Sequence, residues 1–196
     1  MEKEKYGIQI HECRGLFDID KVIINPSRNR YICKPKKAIW TSTKIDEDNL
    51  GNPITEWFDW CEANDFSLAS NLKLYQVVPS EDAKILMITS KSMGVYDPSG
   101  NILMTQDEIF DKISTANPSE AMSIMSGNNL LNYKKALNIG IDIVNVDQSA
   151  IGMSHRYMFM HTYRSRYMDF ITQFHAWDAE SSAWLNKDVI KDVIAL

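Results

Sequence analysis

The chain has 196 residues, of which 44% are hydrophobic and 24% charged, and its formal net charge is −5. Such a composition is globular rather than disordered, and the length suits one domain over residues 1–196 with a core of its own. The acidic balance argues against a general nucleic-acid-coating role, since phosphate binding needs clustered Lys and Arg.

Cys13, Cys33 and Cys61 form no C-x-x-C pair, so neither a disulfide framework nor a zinc ribbon is expected, and the reading is a reducing, cytoplasmic setting. The charged opening Met1-Glu2-Lys3-Glu4-Lys5 has no apolar stretch behind it, and no apolar run approaches the ~18 residues of a membrane span. A soluble, intracellular chain without secretory signal is therefore expected.

Ile8 and Ile10 around Gln9 predict a first strand ending near Cys13, and Val22-Ile23-Ile24 is an apolar patch stopped at Pro26. A basic loop with Arg28, Arg30, Lys34, Lys36 and Lys37 follows, and Arg156, Arg164 and Arg166 make a second basic group. Each reads either as a solvated face or as an anion contact. Residues 37–43 are rich in β-branched and aromatic side chains and predict a buried strand with a polar exit.

Beyond the Gly51-Asn52-Pro53 turn, Ile54, Trp57, Phe58 and Cys61 fall at i, i+3, i+4 and i+7, which predicts a helix over 54–63 with Cys61 packed in the core. Residues 72–78 and 83–89 read as two neighbouring strands of one sheet. Thr105 with Glu108 is a capping-box signature, Asn117-Pro118-Ser119-Glu120 opens another helix, and residues 130–138 give a third, closed by Gly140. The stretch from about 105 to 140 thus reads as a helical insertion. Residues 141–146 return to strand alternation, 156–174 suit a strand followed by a helix, and 187–194 have helical spacing.

His11, His155, His161 and His175 lack the pairing of a helical zinc site, so no metal is expected. Phosphate-cradling glycine motifs and the serine nucleophile elbow are absent from the sequence. Two patches remain. Trp40-Thr41-Ser42-Thr43 ends a strand with an aromatic ring and three hydroxyls, and Trp177-Asp178-Ala179-Glu180-Ser181 carries two carboxylates one residue apart. If 177–182 is extended, Asp178 and Glu180 share a face and suit a ribose hydroxyl or an oxocarbenium-like centre. If a helix starts there, Asp178 or Ser181 caps it and Glu180 is solvated.

The order of these pieces resembles the ADP-ribosyltransferases, with an arginine on a first strand, a Ser-Thr-Ser motif on a second and a terminal glutamate motif. The resemblance implies an α+β single domain built on a mixed or antiparallel sheet. It casts Arg14, Trp40, Ser42, Thr43, Asp178 and Ser181 in dinucleotide binding and Glu180 in catalysis, with NAD or ADP-ribose as ligand. In more of its length, through Lys34-Pro35, residues 38–42, Glu56-Trp57-Phe58-Asp59-Trp60-Cys61, residues 83–88 and Ala176-Trp177-Asp178, the chain looks like a family of bacteriophage proteins. That resemblance implies action in the bacterial host cytoplasm, in phage–host conflict. The expected role is binding and neutralising a host defence protein with a basic surface; the alternative is an active NAD-dependent ADP-ribosyltransferase.

Overall fold

The structure, a computed structural model, describes residues 6–28, 34–69, 71–115, 130–157 and 165–196. In chain order the strands are β1 (Gln9–Arg14), β2 (Asn25–Arg28), β3 (Pro35–Lys37), β4 (Ile39–Glu47) and β5 (Pro53–Thr55), followed by helix α1 (Glu56–Ala63). Next come β6 (Leu72–Pro79), β7 (Ile85–Ile88), β8 (Met93–Tyr96), β9 (Ile102–Met104), α2 (Gln106–Ile113) and β10 (Ser114–Thr115). The remainder is β11 (Leu130–Leu131), α3 (Tyr133–Asn138), β12 (Ile143–Val146), α4 (Gln148–Tyr157), α5 (Arg166–Ile171), β13 (Ser181–Trp184) and β14 (Ile190–Ala195). The chain is an α+β single domain.

Its main sheet runs β14-β6-β1-β4-β13-β12-β7-β8-β9, with β5 hooked onto β4. Among the described residues β12 beside β7 is its one parallel pair, so the sheet is mixed and mostly antiparallel. Side chains alternate between the two faces of each strand. Leu86, Ile88, Val144, Val146 and Ala183 pack on one face with residues of α2–α5, including Ile109, Phe110, Ile113, Ala150 and Phe170. Ile39, Val77, Ile85, Ile143 and Trp184 point to the other, where Tyr6 and Val189 cover them. Strands buried on both faces need no polar alternation. This is why β7 reads Ile-Leu-Met-Ile and β12 Ile-Val-Asn-Val.

Several elements follow their local signals. Thr55 caps α1 by accepting from Phe58 N at 3.2 Å, and Cys61 is buried as expected. Glu108 accepts from both the backbone N–H and the hydroxyl of Thr105 at the start of α2. Gly140, at φ 83°, takes the left-handed turn that ends α3, a conformation strained for a residue with a Cβ.

Other expectations are corrected. Residues 190–195 are a strand, because the exposed edge of β6 offers them a ladder from Pro79 to Tyr75 that a lone terminal helix could not match. The segments 72–78 and 83–89 share the sheet but are not neighbours: β6 lies between β1 and β14, and β7 between β12 and β8. Within 156–174 the structure describes helix at 156–157 and from Arg166 onwards, while residues 158–164 of the expected strand and the helix expected from Asn117 lie outside the described residues.

Trp177 anchors the helical layer. It is 1% exposed and makes edge contacts with Trp40 at 4.9 Å and Phe174 at 5.7 Å. Trp177→Ala should cost about 3–5 kcal/mol, the usual range for an emptied aromatic site, read as a lowered denaturant midpoint at unchanged slope.

Candidate functional site

β1 pairs with β4 at only two positions, Gln9 with Thr43 and Ile10 with Ser42, although it stays paired with β6 along its whole length. Past Ile10 the two strands part. A strand that leaves its neighbour strands backbone groups, and each needs another partner. For the Trp40 carbonyl that partner is His11 Nδ1 at 2.8 Å; a carbonyl only accepts, so Nδ1 carries the proton. Burial lowers the His11 pKa against the opposing pull of this bond, which favours the neutral ring.

The parting opens a cleft of about 240 Å³. Ile10, His11 and Glu12 of β1 form one wall, Trp40, Thr41 and Ser42 of β4 the other, and Trp57 of α1, Lys34, Asp178, Ala179 and Ser181 complete it. Lys34 Nζ sits 3.0 Å from Asp178 Oδ2 and 5.9 Å from the Trp40 ring centre. Ser42 ties the site together, since its hydroxyl donates to the Glu180 carbonyl at 3.1 Å and accepts from Trp57 N at 3.1 Å. One side chain thereby joins β4, the entry to β13 and the first turn of α1.

Four of the sequence-predicted residues, Trp40, Ser42, Asp178 and Ser181, meet in this cleft. Thr43 and Glu180 meet each other elsewhere. The Glu180 carboxylate, 6% exposed, accepts from Thr43 N at 2.9 Å, from Thr43 Oγ1 at 3.0 Å and from Asn145 Nδ2. Asn145 also donates to Ser182, so this carboxylate lies on the sheet face of Ser182 and Trp184, opposite to the face of Ser42 and Ser181. Burial raises its pKa; the Thr43 and Asn145 hydrogen bonds oppose this, and the Glu56 charge adds to it. Arg14 is exposed at the far end of β1, opposite Leu72 of β6, and is no part of the cleft wall.

Asp178 and Glu180 therefore do not share a face. Residues 177–180 precede the strand and bend at 179–180, which breaks the parity that an extended segment would have kept. The helix-capping alternative fails as well, because a strand follows and Glu180 is buried.

Glu12, His11, Lys34 and Trp57 are among the cleft residues that the sequence reading did not select as site residues. The available signal was Glu12, an ionisable side chain on the same face of β1 as Ile10. Burial pushes the Glu12 carboxyl up to about 7 from its ordinary 4.5, opposed only by the Thr55 hydroxyl at 3.5 Å. Compared with known proteins, the chain matches no family model, no curated protein and no solved structure.

Glu12 makes stability depend on pH with a definite sign. The unfolded chain releases this proton near 4.5 while the folded chain holds it to about 7, so stability falls as pH rises through that window and levels off above it. Thermal melts across the window should show a shallower decline for Glu12→Gln than for the parent. Glu56 and Glu180, also raised, act in the same direction in both proteins.

Proposed function

We propose that the protein is a nucleotide-binding protein of the ADP-ribosyltransferase type of fold that binds rather than catalyses, taking the nucleoside end of NAD or ADP-ribose in the cleft between β1 and β4. The reading is supported by the lateral order β1-β4-β13, which brings the first-strand residues, Ser42 and the residues around Glu180 side by side. Trp40 and Trp57 offer ring faces for a base. Asp178, Ser42 and Ser181 offer acceptor oxygens for ribose hydroxyls, the two serine protons being given to the Glu180 and Ala179 carbonyls.

Size and charge select the part of the ligand. At about 240 Å³ the cleft lies below the ~300–1,000 Å³ of sites that engulf a drug-sized molecule, so it suits one half of a dinucleotide. Its one lysine, Lys34, is already paired with Asp178, a poor grip for a pyrophosphate. The buried, fully engaged Glu180 carboxylate on the opposite face favours binding over ribosyl transfer, because a catalytic carboxylate must reach the reacting centre. In the phage setting implied by the second resemblance, such a protein would neutralise a host defence factor in the bacterial cytoplasm, for example one that modifies nucleic acid with ADP-ribose.

Calorimetric titration with NAD and with ADP-ribose tests this. Saturable binding without nicotinamide release, weakened about tenfold in Trp40→Ala as expected for a lost stacking face, is the anticipated result, with the fold of the variant checked by circular dichroism. Nicotinamide release that disappears in Glu180→Gln would replace binding with transferase activity. Failure of both ligands to bind would retire the nucleotide reading.

A further inference from the structure

The chain's acidity is concentrated in one place. Residues 44–66 hold seven carboxylates against one lysine, six negative charges of a total of −5, so all other residues together carry one positive charge. The same segment builds an aromatic platform. Trp57 and Trp60 stack one helical turn apart, ring centres 5.2 Å apart at 9°. Asp65, at φ 52°, then reverses the chain, and Phe66 N bonds back to the Cys61 carbonyl at 2.8 Å. That turn lays the Phe66 ring against both tryptophans, at 5.8 and 6.0 Å, yet leaves it 53% exposed. Asp59, Glu62 and Asp65 are exposed around it, and Leu50 at the tip of the neighbouring β4–β5 hairpin is 87% exposed.

An ordered aromatic cluster rimmed by charge has the anatomy of a protein-binding patch, with apolar anchors inside and polar groups outside. Its charge decides the occupant. Nucleic acid and anionic membrane would be repelled by the carboxylates, and a second copy would set six negative charges against six. The geometry points to a docking surface formed by α1 and the turn that follows it, for a cationic protein face that presents an apolar side chain to the Trp57–Trp60–Phe66 platform. Of these residues only Trp57 also lines the cleft, so the surface stands whether or not the cleft holds a nucleotide.

The test uses the full chain and a fluorescein-labelled amphipathic peptide of leucine and lysine, read by anisotropy at two salt concentrations. Binding should be saturable, weaken with salt, and fall at least about tenfold in Trp60→Ala and in the doubly reversed Asp59→Lys, Glu62→Lys protein. Phe66→Ser, at an exposed ring, serves as the aromatic variant should Trp60→Ala melt early. The proposal is overturned if these variants bind like the parent. It is equally overturned if a sequence-scrambled peptide of the same composition binds as well, or if a leucine–glutamate peptide, a single-stranded oligonucleotide or phosphatidylserine vesicles bind with comparable affinity.

Discussion

The buried carboxylate of Glu180 holds the centre of the sheet together. Removing a carboxylate from water costs several kcal/mol unless donors replace the lost hydration. Here Thr43 supplies two and Asn145 a third. The donors are themselves braced: Gln9 donates to Thr43 and accepts from Thr41, Trp184 donates to Thr41, and Ser182 accepts from both Asn145 and Tyr6. This chain of bonds crosses β1, β4, β13 and β12 on one face. Loss of any member would leave the others buried and unpaired, so the register of four strands is tied to one acidic group.

A sheet locked on that face can open on the other. Because Gln9 and Thr43 are bound into the network, β1 and β4 are pinned at their first two pairs and free to diverge immediately beyond them. His11 then takes the Trp40 carbonyl that a continuing ladder would have used. The cleft thus begins where the β1–β4 pairing stops, and Ser42, at the last pair, is placed to join three elements around it. At the cleft wall Glu180 is met through its backbone, since it is the Glu180 carbonyl, and not the carboxylate, that Ser42 holds.

Local chemistry made part of this legible in sequence. The helices α1 and α2 announce themselves through periodicity joined to a capping threonine, and both signals lie within a few residues. The strand β4 shows its aromatic and β-branched run, and with it Trp40 and Ser42. What stayed hidden depends on distant partners. Val189, Ile190, Val193 and Ile194 match a helical stripe, but the open edge of β6 takes the last three into a strand, with a register shift between Ile190 and Asp192, and Val189 stays in the turn before it. The separation of Asp178 from Glu180 turns on one bend, which no alternation rule records. Lys34 looked like one cation of a solvated basic run until Asp178, distant in sequence, met it. Glu12 was unremarked because its importance comes from burial, a property of the fold and not of its neighbours in the chain.

Trp57 belongs to both surfaces, and this limits how strongly they can speak to each other. It lines the cleft and stacks on Trp60 at the platform. A cleft ligand that reorients the Trp57 ring must either carry Trp60 with it or break the stack, and an aromatic pair is worth about 0.5–1.5 kcal/mol beyond its buried area. Coupling through this pair alone is therefore bounded at a factor of roughly two to ten in affinity, and by reciprocity the platform's occupant changes the cleft by the same factor. Two sites joined by a single stacked pair would act as cooperating surfaces and not as an all-or-none switch.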